Sequence, residues 1–175
     1  MKKNGFVAPV VVLTVICFVV SALLGYINSI TEPIITEANI KTAEESKKEV
    51  LPDADSFTTY EGDDLPEGVV SADVADNGAG SVFICDGAGY GGTMEIIVGI
   101  DSEGTISGVK VLSHSETAGL GARVANESFT SQFIGEDSEL ADVELISGST
   151  ISSKCFVSLV NLAYEANDIV AKEGN

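Results

Sequence analysis

Positive charge is scarce in this sequence. Its 175 residues hold nine Lys and Arg against 27 Asp and Glu, a formal net charge of −18. A nucleic-acid partner requires a basic footprint that displaces counterions from phosphates, so that class of function is excluded. Cysteine and histidine are also scarce. Cys17, Cys85 and Cys155 are too few and too scattered for a disulfide framework. With His114 as the single histidine and no CxxC pair, a Cys/His zinc site cannot be assembled. A Cys85–Cys155 bridge stays open, because sequence does not show proximity. The length suits one globular domain with an appendage and excludes two full-sized domains.

Charge of either sign is missing between Asn4 and Thr31. The stretch Gly5–Ile30, rich in Val, Leu, Ile and Phe, exceeds the roughly 20 apolar residues that span a hydrocarbon core. It predicts a transmembrane helix within residues 1–31. A cleaved signal peptide, with Val20-Ser21-Ala22 as its small-residue site, is the competing reading. The apolar run continues past that site through Leu23, Leu24, Tyr26, Ile27 and Ile30, which favours an anchor. No lipobox precedes Cys17. Lys2 and Lys3 place the N-terminus in the cytoplasm by the positive-inside rule, with the acidic body on the outer face.

Residues 32–68 read as a stalk and an acidic linker. Pro33–Val50 is rich in Ala, Glu and Lys and predicts a solvated helix that continues the span and ends before Pro52. Residues 52–68 read as a surface loop. The folded domain is expected over 69–175. Alternation predicts short antiparallel strands at Val69–Ala75, Ser81–Cys85, Thr93–Ile100 and Thr105–Leu112, with a last one at Val143–Ile146. Asn126–Ile134 predicts a short helix with Phe129 and Phe133 on one face. Ser152–Ala171 predicts an amphipathic helix through Cys155, Phe156, Leu159, Leu162, Ala163, Ala166, Ile169 and Val170. The class is therefore α+β, a small antiparallel sheet covered by helices. No internal repeat is present.

Three loops carry candidate chemistry. Gly87–Gly92 (GAGYGG) lacks the GxxxxGK[ST] pattern of a phosphate loop and precedes a strand. It reads either as a hairpin turn or as backbone that approaches a flat ligand closely. His114–Gly121 (HSETAGLG) joins a strand to a helical segment. Glu116 and His114 suggest acid–base work, but no nucleophile or metal cluster accompanies them. Ser147–Ser153 (SGSTISS) places hydroxyls at the start of the last helix. They read equally as an N-cap cluster and as a phosphate site built from free N–H groups and the positive helix end.

The order of these segments resembles the G subunit of the Rnf electron-transport complex, a family related to the C subunit of the sodium-translocating NADH:quinone reductase. Both contain an FMN-binding domain. The resemblance runs through Thr31-Glu32-Pro33-Ile34, GYGG, HSETAGLGARV, the Phe129…Gln132-Phe133-Ile134-Gly135 segment and SGST. The family's ETPGLG appears as Glu116-Thr117-Ala118-Gly119-Leu120-Gly121. Its flavinylation motif, D-x-x-[ST]-G-A-T, appears as Glu144, Ser147, Gly148, Ser149 and Thr150, with Glu for Asp and Ser149 for Ala.

The resemblance implies FMN joined covalently to Thr150 by a phosphoester, with Ser149 a rival hydroxyl one residue earlier. Ser147, Gly148, Ser149, Glu116, Thr117, Gly119, Leu120, Gly121 and Tyr90 are the implied cofactor-binding residues. It also implies other Rnf subunits and a flavin transferase as partners, the membrane as location, and ferredoxin:NAD oxidoreduction coupled to sodium or proton export. A quinone-reductase C subunit and a non-redox tethered binding module of the same fold are the alternatives.

Overall fold

The computed structural model describes residues 7–62 and 64–173; Lys2 and Lys3 lie outside the described residues. The chain divides into two compact units, Met1–Lys41 and Thr42–Asn175, and helix α1 (Val7–Val50) contributes to both. The first unit carries one helical stretch, Ala8–Thr31, long and apolar enough to cross a bilayer. Its large side chains, such as Phe18 and Leu24, are exposed along their length.

The second unit is the α+β domain that the alternation predicts. Its five antiparallel strands lie in chain order as β1 (Phe57–Thr59), β2 (Val69–Ala75), β3 (Gly80–Ala88), β4 (Thr93–Asp101) and β5 (Ile106–His114). Two short helical turns (Gly121–Ala125 and Ser131–Phe133) flank α2 (Glu127–Thr130), and α3 (Thr150–Glu173) closes the fold.

Both faces of the sheet are covered. Phe83, Cys85, Ile96 and Val98 pack beneath Phe156, Val160 and Ala163 of α3. Phe129 and Phe133 complete that core, each ring within 5.3 Å of Phe156. Val82, Ile84 and Ile97 point the other way and pack against Val50, Leu51 and Ala54. This two-sided burial explains why Val82–Cys85 is a continuous apolar run and not an alternating one.

Three expectations are corrected. The end of α1 is no solvated stalk, because Ser46, Lys47 and Val50 are buried. It reaches the sheet through a glycine slot. Gly99 and Gly108 face each other across β4 and β5. A Cβ on Gly108 would lie 2.8 Å from Val50 Cα, and one on Gly99 2.9 Å from the Val50 carbonyl carbon. Ser107 Oγ donates to that carbonyl at 2.6 Å. Lys47 Nζ meets the buried Asp73 carboxylate of β2 at 3.0 Å and Glu44 at 2.6 Å.

The acidic segment 52–68 also contains a strand. β1 pairs with β2, and Thr58 and Thr59 donate to Asp76 and Asp73 at 2.6 and 2.7 Å. Residues 143–146, in contrast, form no strand. Two of their backbone donors turn to side chains instead, while the Val143 N–H bonds to Leu140 C=O at 3.4 Å. Glu144 N–H bonds to Gln132 Oε1 at 3.0 Å, and Ile146 N–H to Ser153 Oγ at 3.2 Å. Cys85 and Cys155 are free thiols. Burial pushes the Cys85 thiol up to about 12.

Candidate functional site

The three loops singled out by the sequence converge beside the first turn of α3. They enclose a cavity of about 380 Å3 lined by Tyr90, Thr117, Leu120, Gly121, Gly148, Ser149, Thr150, Ile151 and Ser152. Each arrives by a different local route. Tyr90 sits in the β3–β4 hairpin, where Ala88 pairs with Thr93 and Gly89 N–H bonds to Gly92 C=O at 2.8 Å. The Gly87–Gly92 loop is thus a hairpin turn, and one of its residues also borders the cavity. Thr117 and Leu120 follow β5 in a tight loop, with Leu120 N–H on Thr117 C=O at 3.1 Å. Gly148 takes φ of +81° and turns the chain into α3, which opens at Thr150.

Glu116 does not line the cavity. Its carboxylate points inward, 8 % of the residue is exposed, and it accepts the N–H groups of Tyr90 at 2.7 Å and Gly91 at 3.3 Å. A Cβ on Gly121 would press on Glu116 and come within 2.7 Å of Ser152 Oγ. Glu116 therefore ties the hairpin to its own loop, and Gly121 packs between it and Ser152 of the first turn of α3. His114 Nδ1 accepts the Glu116 N–H at 3.2 Å, a structural contact. Gly119, at φ +75°, faces open space outside the cavity lining. Ser147 lies on the other side of the same chain segment. It borders a separate polar cavity with Arg123, Gln132 and Glu144.

Ile151 and Ser152 also line the cavity; they lie within the SGSTISS segment but outside the residues implied to bind the cofactor. Ile151 is 57 % exposed at the cavity rim. An apolar residue in the first turn of α3, out of phase with the buried Ser152–Phe156–Leu159 stripe, was the available signal. With Tyr90 and Leu120, also exposed, it makes the rim apolar. The floor is polar. Thr150 is exposed, whereas Ser149 is buried and its hydroxyl has no hydrogen-bond partner. The first N–H groups of α3 have no carbonyl one turn back, and the positive helix end faces the same region. Polar donors at a helix start beneath an apolar rim suit a ligand with a phosphate at one end and a flat apolar body at the other.

Comparison with known proteins accords with that geometry. Residues 89–165 match the FMN-binding domain family, and this stretch includes the tip of the β3–β4 hairpin, the AGLG loop and most of α3. The G subunit of the ion-translocating oxidoreductase complex of Methanosarcina acetivorans is 34 % identical over 182 residues, covering 94 % of this chain and 95 % of the relative. The G subunit of the proton-translocating ferredoxin:NAD(+) oxidoreductase complex of Clostridium ljungdahlii is 25 % identical, covering 93 % and 92 %. The corresponding subunit of the Na(+)-translocating complex of Acetobacterium woodii is 27 % identical, covering 91 % and 92 %. Residues 89–165 thus belong to an FMN-binding domain. Across nearly its full length the chain belongs to the family of G subunits of ion-translocating oxidoreductase complexes.

Proposed function

We propose that this chain is the membrane-anchored flavin carrier of an Rnf-type complex, with FMN joined to Thr150 Oγ1 through a phosphoester. The observation that carries the reading is the position of Thr150. It is an exposed hydroxyl at the N-terminus of a 24-residue helix, on the floor of the cavity that the family's loops enclose. The residues fit the cofactor. The first-turn N–H groups of α3 and the helix dipole would hold the phosphate. Tyr90, Leu120 and Ile151 offer apolar surface to the isoalloxazine. Glu116 fixes the hairpin and the loop so that this surface is pre-formed.

Bound flavin supplies one- and two-electron redox chemistry, which no side chain of this protein provides. The chain's own contribution is retention and placement. A phosphoester keeps the carrier from diffusing away, and the apolar Ala8–Thr31 helix would hold the carrier at the bilayer. The domain is assigned to the outer face, and its partners are the other subunits of a complex that oxidises ferredoxin, reduces NAD and exports sodium or protons. A flavin transferase would install the cofactor. Support for this assembly comes from the relatives, whose names describe such complexes and whose sequences align along almost the whole chain.

The test is intact-mass analysis after co-expression with a flavin transferase. The expected product is heavier by FMN less water, fluoresces on a denaturing gel, and maps to the peptide around Thr150. Thr150→Ala abolishes the label. An unlabelled wild-type chain, or a label that persists in Thr150→Ala, overturns the assignment.

A further inference from the structure

We propose that the Ser149 hydroxyl holds the phosphate of the flavin esterified at Thr150, and that Ser149 is a binding residue and not a second acceptor. The inference rests on the reading of Thr150 as the attachment point.

The starting observation is an unused donor. Ser149 is 6 % exposed, and its Oγ is buried with no hydrogen-bond partner. The backbone of the same residue is fully engaged. Its N–H bonds to Ile146 C=O at 3.0 Å, and its carbonyl accepts both the N–H and the hydroxyl of Ser153, each at 2.9 Å. The residue is therefore fixed in place while its hydroxyl remains unspent. A buried hydroxyl without a partner lowers stability, and folded proteins rarely retain one. Alanine would fit here without that loss. Ser149 also lines the cavity beside Thr150, directly before the first turn of α3. A rotation about its Cα–Cβ bond is the motion that would bring the hydroxyl to a ligand in that space. A phosphate oxygen there would accept a charge-assisted hydrogen bond, which is stronger than one between neutral groups.

Exposure separates the two adjacent hydroxyls. An enzyme that builds the ester must bring a phosphorus atom onto the acceptor oxygen. Thr150 is exposed and meets that requirement; Ser149, enclosed by the chain, does not. Thr150 Oγ1 thus gives up its proton and bonds to the phosphorus of an activated flavin phosphate such as a flavin dinucleotide. The phosphoanhydride bond of that donor breaks and releases a nucleoside monophosphate as the leaving group. Ser149 keeps its own proton and donates it in a hydrogen bond to a non-bridging oxygen.

The test compares wild type with Ser149→Ala in the full chain, each with and without attached flavin, by thermal unfolding. Without flavin, removing the unpartnered hydroxyl should raise the midpoint by about 2–4 °C. With flavin attached, the same substitution should lower the midpoint by a similar amount, because a hydrogen bond to the phosphate is lost. The phosphorus-31 resonance of the attached flavin should shift between the two proteins, and the label should map to Thr150 in both. Ser149→Gly, which also lacks the hydroxyl and is tolerated at a helix start, repeats the measurement if the alanine variant folds poorly. A midpoint change of the same sign in both states, or an unmoved phosphorus resonance, overturns the inference alone. A label mapped to Ser149 in wild type, or a wild-type chain with no label at Thr150, overturns it together with the proposed function.

Discussion

The carboxylate of Glu116 accepts the backbone N–H of Tyr90 at 2.7 Å, across 26 residues of sequence. Its other oxygen takes the Gly91 N–H. The consequence is that the hairpin carrying Tyr90 and the loop carrying Leu120 form one unit, although no strand pairing joins their tips. Glycine makes this arrangement possible, since a Cβ on Gly89 or Gly121 would press on the same carboxylate. The acid is thus part of the wall behind the cavity and not a reagent within it.

The first prediction follows from that bond pair. Glu116→Ala leaves two backbone donors without their acceptor and should cost about 3 kcal/mol of unfolding free energy, measured by urea denaturation. Glu116→Gln keeps one acceptor oxygen but sets an amide NH2 against the second donor, and should cost about 1–2 kcal/mol. Hydrogen exchange at the Tyr90 amide should accelerate in both. Exchange that stays slow in Glu116→Ala would show that the hairpin holds its shape without the carboxylate.

The strands were legible in the sequence because β2 to β5 carry the side chains that fill the core. β1 was not, because Phe57-Thr58-Thr59 is short and its hydroxyls pair with Asp73 and Asp76 of the neighbouring strand and turn, a tertiary relationship. Val143–Ile146 has the composition of a strand, yet Gln132 and Ser153 satisfy its backbone from outside any ladder. The buried end of α1 was hidden for a different reason. Apart from the side chain of Val50, the contact of α1 with the sheet is mainly backbone against glycine, with a Lys47–Asp73 ion pair beside it, so no apolar stripe along the helix advertises it. At the site, the loops and Thr150 stood out as motifs. The inward turn of Glu116 did not, since which way a carboxylate points depends on donors distant in sequence.

The second prediction concerns that glycine slot. Gly99→Ala and Gly108→Ala each drive a methyl group into the Val50 backbone, and the last turn of α1 must shift to admit it. Each should destabilise the domain by about 1–3 kcal/mol. Gly104→Ala is the control. That residue has a positive φ, +85°, but a Cβ there meets nothing. Its cost should be confined to backbone strain, about 1 kcal/mol. Equal losses at all three positions, in thermal or denaturant melts, would mean that the slot is not tightly packed.

The third prediction is alkaline lability. Four groups hold their protons more tightly in the folded state than their ordinary values imply, Cys155 among them through burial and the nearby charge of Glu116. Burial raises Cys85 from 9.0 to about 12, assisted by the charge of Asp86. Burial likewise raises Tyr164 from 10.0 to about 12, and its hydroxyl donates to Glu136 C=O at 2.9 Å. For Lys47, burial works against the charge, but hydrogen bonds and attraction from Glu44 and Asp73 outweigh it and raise the pKa above 10.5. In each case the unfolded chain loses its proton first as pH rises, so alkali favours unfolding. Stability from these groups is complete below pH 9 and declines above it, by up to about 1.4 kcal/mol per pH unit for each group in its window. Urea midpoints measured from pH 7 to 11 should stay level and then fall. Cys85→Ser should reduce the slope between pH 9 and 10; an unchanged slope would remove Cys85 from the account.

The final prediction separates two glycines that the sequence motif treats alike. Gly119 has φ +75° and open space where a Cβ would stand. Gly121 is buried and close-packed, with Glu116 on one side and Ser152 Oγ on the other. Gly119→Ala should therefore cost about 1 kcal/mol through backbone strain alone and leave the cavity intact. Gly121→Ala must push Glu116 and the first turn of α3 apart, at a cost of about 2–3 kcal/mol. Because Tyr90 is tied to Glu116 and Thr150 belongs to that turn, the strain should pass into the cavity walls. In flavin-loaded protein the visible absorption band should shift for Gly121→Ala and stay unchanged for Gly119→Ala, with thermal melts recorded on the same samples. A band that moves for Gly119→Ala and not for Gly121→Ala would put the flavin over the exposed tip of the loop, and would deny Glu116 its place as the support of the site.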